Sequence, residues 1–364
     1  MKILYFCEYN FGGGAKSNLN LALSSSAFAE VAFLGCDPSY PKYKEFSLLR
    51  AKARKSISLR YFLDFWDSLN NFNPDIVHAT GMYTGFVSLV ARSLRKKKFK
   101  IIMTLHHTSV RFRFHYFAIR FIPVLNKIDI IHYLTEYQHD LYTKFGLKPK
   151  KFKIIPNIVF AHTYTKSEVD DLRNNLLANT SADWLIVSVG RLVESKQIDV
   201  FIKIIKKINE QGINAGGIII GTGEKEFIKK LKNIASELDI ASKILFTGFS
   251  TSPELYIKAG DFCLFPTLHA EALPLFILES FSQKKTMVVS NHPSIGCIVT
   301  DNHDSLVVTD HSAEKYAEQC IALIKNPELL KKLEKGADFT YNEYYSTEKV
   351  IRRFEEMYIY TLKD

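Results

Sequence analysis

Short apolar runs ending in glycine or a small polar residue recur along this chain, each followed by sequence with helical spacing. "KILYFC" opens the series; the glycine-rich "GGGAKSNLNLALSSSAF" and the run "EVAFLGC" follow, and "DIVHAT", "KIIMTLHH" and "DIIHYLT" continue it. Runs apolar on both faces, alternating with helices, are the signature of a mostly parallel sheet covered on each side. The series then restarts. "ADWLIVSVG" at 182–190 ends in glycine, "QIDVFIKIIKKINEQG" carries helical periodicity to Gly212, and "AGGIIIGTG", "KILFTGF", "DFCLFPT", "TMVVSN" and "SLVVTD" follow. The expected fold class is α/β, with two Rossmann-like units over 1–160 and 161–345 joined within the polar stretch 157–182. A last segment, 346–364, reads as an amphipathic helix with Val350, Phe354, Met357 and Tyr358 along one side, expected to cross back to the N-terminal domain.

Length agrees with two units, because 364 residues exceed what one cooperative core usually holds. With 47% hydrophobic and 24% charged residues the composition is that of a folded soluble enzyme. No run approaches the ~18 apolar residues of a membrane span, and the N-terminus lacks a signal-peptide cleavage pattern. Five scattered cysteines without a CxxC pair are expected to be reduced core residues. Charge is uneven: residues 1–160 hold 24 Lys+Arg against 10 Asp+Glu, a formal +14, and the remainder carries 24 against 28, or −4. The densest basic stretches are "ARSLRKKKFK" at 91–100 and "VRFRFHYFAIRF" at 110–121. Cations interleaved with aromatics suit an anionic membrane surface, while a solvated basic face is the plainer reading. No nucleic-acid-binding module accompanies the charge, so nucleic acid is not the expected partner.

In open α/β sheets ligands bind beyond the carboxyl ends of the strands. "VGRLVESK" puts Gly190, Arg191 and Lys196 just past a strand, where glycine admits close approach and two cations can converge on a diphosphate. Gly221 and Gly223 follow the next strand. In "HAEALPLFILES", Pro274 and Leu275 form a helix N-terminus able to bind an anion. Glu279 lies just over one turn inside that helix, where a carboxylate needs hydrogen-bond donors such as ribose hydroxyls; Glu271 precedes the helix and is directed at a sugar, or is simply a carboxylate stabilised by the helix dipole. In the first unit His78 and His106 follow strands, and a neutral histidine there can donate to a substrate oxygen. Gly13 and Gly14 are a tight turn or a point of close substrate approach, with Lys16 next to them; the GxGxxG dinucleotide spacing is absent. With no HExxH and no compact His/Cys/Asp ligand set, no metal is expected.

Together "VGRLVESK", "GTGE", "PTLHAEALPLFILES" and "IIPNIV" resemble the retaining, nucleotide-sugar-dependent glycosyltransferases of family four, of bacterial surface-polysaccharide or lipopolysaccharide type. The resemblance covers nearly the whole chain and implies the GT-B architecture, two Rossmann-like α/β domains facing across a deep cleft. It implies that Arg191 and Lys196 bind the donor diphosphate, that Glu279 binds the nucleotide ribose, that Glu271 contacts the donor sugar and that His106 lies beside the reacting centre. Gly190, Leu275, Pro274, Gly221 and Gly223 complete the donor side; Gly13, Gly14, Lys16 and His78 belong to the acceptor side. The implied reaction moves a sugar from a UDP or GDP sugar to a hydroxyl with retention, without metal or cofactor. The acceptor expected from the basic first half is a lipid-linked saccharide or lipopolysaccharide, and the location cytoplasmic at the inner face of the membrane. A small soluble acceptor, or a non-catalytic nucleotide-sugar- or polysaccharide-binding protein, are the alternatives. Two departures fall in the donor-sugar region: Ala272 replaces the usual glycine, and Pro293 and Ser294 replace a glycine pair, so a backbone donor is lost at Pro293.

Overall fold

The computed structural model describes residues 1–8, 13–35, 47–48, 58–108, 122–268 and 271–363. The chain divides into two compact units. One comprises Met1–Ile158, Glu271–Leu273 and Thr347–Asp364, the other Val159–Ala270 and Pro274–Ser346.

The first unit is built on a seven-stranded sheet of β1 (Lys2–Cys7), β2 (Glu30–Leu34), β3 (Ser47–Leu48), β4 (Ile76–Thr80), β5 (Lys100–Thr104), β6 (Ile130–Tyr133) and β7 (Phe152–Ile154), in the order β3-β2-β1-β4-β5-β6-β7. Every pairing is parallel. Burial on both faces explains why β1, β4 and β6 read as near-continuous apolar runs and not as alternating ones. The crossover helices include α1 (Gly13–Ser25), α2 (Leu59–Phe72), α3 (Met82–Leu94) and α4 (Glu136–Lys144). Ser58 and Thr135 cap α2 and α4 by accepting the amides of Tyr61 and Gln138.

The second unit repeats the plan. Strands β8 (Trp184–Val189), β9 (Ala215–Ile220), β10 (Ile244–Gly248), β11 (Phe262–Phe265), β12 (Met287–Ser290) and β13 (Ser305–Val308) pair in parallel as β10-β9-β8-β11-β12-β13. The helices are α5 (Lys166–Thr180), α6 (Ile198–Glu210), α7 (Lys225–Glu237), α8 (Pro253–Ala259), α9 (Leu275–Ser282), α10 (Pro293–Gly296), α11 (Ala313–Lys325) and α12 (Pro327–Thr340). Most of the polar stretch 157–182 is the helix α5. Thr165 and Glu168 form a reciprocal capping box at its start, Leu176 is buried, and Arg173 reaches the Ala259 carbonyl at 2.7 Å and Asp261 at 2.9 Å. The division between units, Ile158/Val159, lies within 157–182 and ahead of this helix.

The last helix, α13 (Thr347–Lys363), belongs to the first unit and buries Val350, Phe354, Met357 and Tyr358. Tyr358 enters a buried hydrogen-bond chain. Its hydroxyl lies 2.7 Å from that of Tyr5 and 2.6 Å from Nδ1 of His78. The chain continues from His78 Nε2 to Thr104 Oγ1 at 2.5 Å, to His132 Nδ1 at 2.7 Å, and from His132 Nε2 to the Ile155 carbonyl at 2.8 Å. A carbonyl only accepts, so His132 carries a proton on Nε2. Burial holds both histidines below the usual value, His132 at about 4, so both rings are neutral at pH 7; Nδ1 of His132 then accepts from Thr104, which accepts from Nε2 of His78, and Nδ1 of His78 accepts from Tyr358.

Candidate functional site

Both strand orders reverse direction once, between β1 and β4 in the first sheet and between β8 and β11 in the second, and such reversals open a crevice at the carboxyl ends. In the second unit the loops at that point are tied to one another. Gly190 donates to Ile220 at 3.0 Å and Leu192 to Thr222 at 2.8 Å, so the loop after β8 runs beside the loop after β9. Gly221 has φ +145°, and a Cβ there would lie 1.8 Å from the Gly190 carbonyl oxygen; one on Gly223 would lie 2.1 Å from that of Leu192. Both glycines therefore act by letting two loops pack, a structural role in addition to the ligand approach expected of them. Beside Gly190 itself a Cβ would meet nothing within 4 Å, so space remains open there.

Arg191 is exposed, and Lys196 ends a short 3-10 turn, Glu194–Lys196. The Lys196 ammonium stands 5.2 Å above the ring of Phe265, the last residue of β11, and Thr267 donates to the Ser195 carbonyl at 3.0 Å. The loop after β8 is thus fastened to the loop after β11, and Ser290 at the end of β12 donates to the Thr267 carbonyl. Helix α9 starts after Pro274, with no side-chain cap and no acidic residue in its first turn. A helix start with no acidic residue of its own favours an anion there. Phe276 packs edge-on against Phe265 at 5.6 Å, and Glu279 is only 4% exposed. Pro293 opens α10 at a position where an amide has no intrahelical partner, and the Nδ1 of His292 accepts from Ser294 instead.

In the first unit His106 follows β5 and is held from two sides. Its Nε2 lies 2.7 Å from Oδ1 of Asn18 on α1, while Gln138 on α4 donates to the carbonyls of Leu105 and His107 at 2.8 and 2.9 Å. Tyr142 adds a bond to the His107 carbonyl at 3.0 Å. Burial, with His132 and His107 nearby, pushes the His106 imidazole down to about 3, so it is neutral at physiological pH. His78 differs from expectation: it lies within β4, fully buried, with both ring nitrogens bonded to Tyr358 and Thr104. Gly13 and Gly14 are not a turn but the opening residues of α1, where amides have no intrahelical partner; Lys16 is half-buried on the same helix. Glu271 belongs with Ala272 and Leu273 to the first unit, in which Thr135 donates to the Ala272 carbonyl at 3.2 Å. The two glutamates of the motif are therefore divided between the units. The basic stretch at 110–121 lies outside the described residues. That at 91–100 is partly tied down locally: Arg92 pairs with Asp129, Arg95 bonds Asn70 at 2.7 Å and Lys98 bonds the Arg92 carbonyl at 2.7 Å. Among the described residues no His, Cys, Asp or Glu side chains gather as a metal site, and no helix is long and apolar enough to cross a membrane.

Two family signatures match this chain in succession, "Glycosyltransferase Family 4" over residues 11–160 and "Glycosyl transferases group 1" over residues 171–338. The chain is related to the family-four glycosyltransferases. It is 21% identical over 314 residues to UDP-Gal:alpha-D-GlcNAc-diphosphoundecaprenol alpha-1,3-galactosyltransferase of Escherichia coli, covering 83% of this chain and 79% of the relative. It is also 21% identical over 306 residues to N-acetyl-alpha-D-glucosaminyl L-malate synthase of Bacillus anthracis, covering 80% and 76%. Among solved structures, Anabaena HepE in complex with UDP superposes with a TM-score of 0.85 at 14% identity, covering 98% of this chain and 99% of that one. The fold is thus GT-B, with two Rossmann-like α/β domains.

Within this family-four frame, the motif residues were visible because each follows an apolar run. Asn18 and Gln138 were not. They are polar residues buried at 1% and 0% exposure whose partners are distant in sequence, and no local pattern marks them.

Proposed function

We propose that the chain is a metal-independent, retaining glycosyltransferase that moves a sugar from a UDP or GDP sugar to a hydroxyl of a lipid-linked saccharide or lipopolysaccharide acceptor. The observation that carries the reading is the fastening of the Arg191–Lys196 loop to the β11 loop at the switch point of the second sheet, in the unit that also contains the uncapped start of α9. Arg191, Lys196 and the α9 amides stabilise the negative charge that develops on the departing diphosphate. Glu279 accepts from the ribose hydroxyls, Glu271 contacts the donor sugar, and neutral His106 works beside the anomeric carbon without adding fixed charge. Retention follows if the leaving phosphate assists in deprotonating the acceptor hydroxyl.

The lipid-borne acceptor is supported by the acceptor named for the Escherichia coli relative and by the outer face of α2. There Leu59 is 76% and Leu63 53% exposed, and Arg95 stands 6.0 Å from the Trp66 ring. Apolar side chains beside cations suit the boundary of an anionic membrane. The malate named for the Bacillus anthracis relative makes a small soluble acceptor the competing outcome.

Calorimetry with UDP and GDP tests the donor site. Binding of one nucleotide is expected, weakened by about 1–3 kcal/mol in Arg191→Ala and in Lys196→Ala, the range for charge-assisted hydrogen bonds. No affinity for either nucleotide would remove the reading. Mass spectrometry of products from lipid-diphosphate-linked and soluble acceptors then separates the two acceptor classes.

A further inference from the structure

We propose that Thr267 is a positioning residue for Lys196: its hydroxyl fixes the backbone turn that aims the ammonium, so that the grip on a donor diphosphate depends on a fully buried side chain. The inference rests on the transferase reading for the role of Lys196, and its geometry lies wholly within the second unit. Lys196 closes the 3-10 turn Glu194–Lys196, in which its own amide donates to the Val193 carbonyl at 3.0 Å and that of Gln197 to the Glu194 carbonyl at 3.0 Å. Gln197 has φ 54°, a left-handed conformation that a residue other than glycine keeps only when its surroundings impose it. Between Glu194 and Lys196, the carbonyl of Ser195 accepts from the Thr267 hydroxyl at 3.0 Å.

Thr267 can impose that conformation because it is itself fixed. It is fully buried just beyond the end of β11, and its carbonyl accepts from Ser290, fully buried at the end of β12. The ties therefore follow the order of the sheet, from β12 to β11 to the loop after β8, across the point where the strand order reverses. The carboxyl end of β11 acts twice on Lys196. The ring of Phe265 lies 5.2 Å from the ammonium, and Thr267 holds the backbone that carries it. Because a lysine stem is flexible, a shift of the turn takes the ammonium off the ring and out of line with a diphosphate.

The test pairs a spectrum with a binding cycle on the full chain. Lysines labelled with carbon-13 at Cε should give a methylene signal for Lys196, assigned by Lys196→Ala, that the Phe265 ring shifts upfield. Thr267→Val, which keeps the shape and loses the donor, should move it toward the position of exposed lysines; Thr267→Ser, which keeps the donor, should leave it in place. An unmoved signal in Thr267→Val would overturn the positioning role, whatever the chain's activity. Calorimetry with UDP and GDP reads the consequence. Thr267→Val should weaken whichever nucleotide binds by about tenfold, and Thr267→Ser by no more than about threefold. In a Lys196→Ala background Thr267→Val should cost less than about twofold, because the residue it positions is gone. A loss of the same size in both backgrounds would make Thr267 a packing residue and sink the proposal, as would unchanged affinity despite a displaced signal. If the wild type binds neither nucleotide, the transferase reading fails and the spectrum by itself judges whether Thr267 holds Lys196. Should Thr267→Val not fold, Ser290→Ala, which removes the donor to the Thr267 carbonyl, takes its place in both measurements with the same expected direction and the same overturning results.

Discussion

Glu271 and Glu279 stand eight positions apart in sequence, yet they are held by different means. Glu279 sits inside α9 at 4% exposure, while Glu271 lies in a three-residue segment that packs with the first unit. A buried carboxylate and a half-buried one at the edge of a loop are suited to different tasks: the first to a fixed ribose, the second to a sugar that must leave. Glu279→Gln is accordingly expected to weaken UDP binding by about 1–3 kcal/mol, the value of a charged hydrogen bond. Glu271→Gln should leave UDP binding intact and lower turnover of the whole nucleotide sugar. Calorimetry and turnover on the same two proteins check this, and equal losses in both assays would show that the roles are not separated. Arg191 and Lys196 differ in the same manner: Lys196 is placed over a ring that fixes its head group, whereas Arg191 is exposed.

At the scale of elements, α13 is joined to the first sheet by chemistry as well as by packing. Tyr358→Phe removes the hydroxyl bonded to His78 and Tyr5; Tyr5 keeps Ser25 at 2.8 Å, but Nδ1 of His78 is left buried without its partner. A loss of about 1–3 kcal/mol is expected, read from urea denaturation, the cost of one unsatisfied buried group. The same chain makes the first unit sensitive to acid. His132 titrates at about 4 folded against 6.5 ordinarily, so the unfolded chain binds the extra proton first and stability falls as pH drops from 6.5 toward 4. For His132 this amounts to about 3 kcal/mol, and His78 and His106 act in the same direction. Glu8 acts oppositely: burial raises its carboxyl to about 7, so it favours the fold at low pH and its contribution is lost as pH rises through 7. Three histidines against one carboxyl leave a net acid destabilisation, measurable as a fall in denaturation midpoint between about pH 6.5 and 4.5. A flat midpoint over that range would mean that the histidines are not neutral in the fold.

For the whole molecule, the +14 balance of residues 1–160 and the apolar outer face of α2 predict binding to anionic vesicles at low salt, weakened as ionic strength rises. Co-sedimentation with phosphatidylglycerol vesicles, comparing the wild type with a Leu59→Ser/Leu63→Ser variant, measures it. Unchanged binding in the variant would move the contact away from α2, and no binding at all would favour the soluble acceptor. The alternation of apolar runs and helical spacing by itself determined the α/β class and the succession of two units, because strands buried on both faces must be apolar throughout. It also marked Arg191, Lys196, Glu279 and His106, since parallel topology puts the residues after each strand at one edge. The two short strands β3 and β7 escaped it, being only two and three residues long. So did the capping box that makes a polar stretch into α5, the commitment of His78 to the core, and the pairing of Asn18 with His106. The capping box is a local signal, Thr165 and Glu168 three residues apart, that apolar periodicity does not register. The other two depend on which distant groups a buried polar atom meets; hydrophobic periodicity records that a residue is inside, whereas only the tertiary structure decides what satisfies it there.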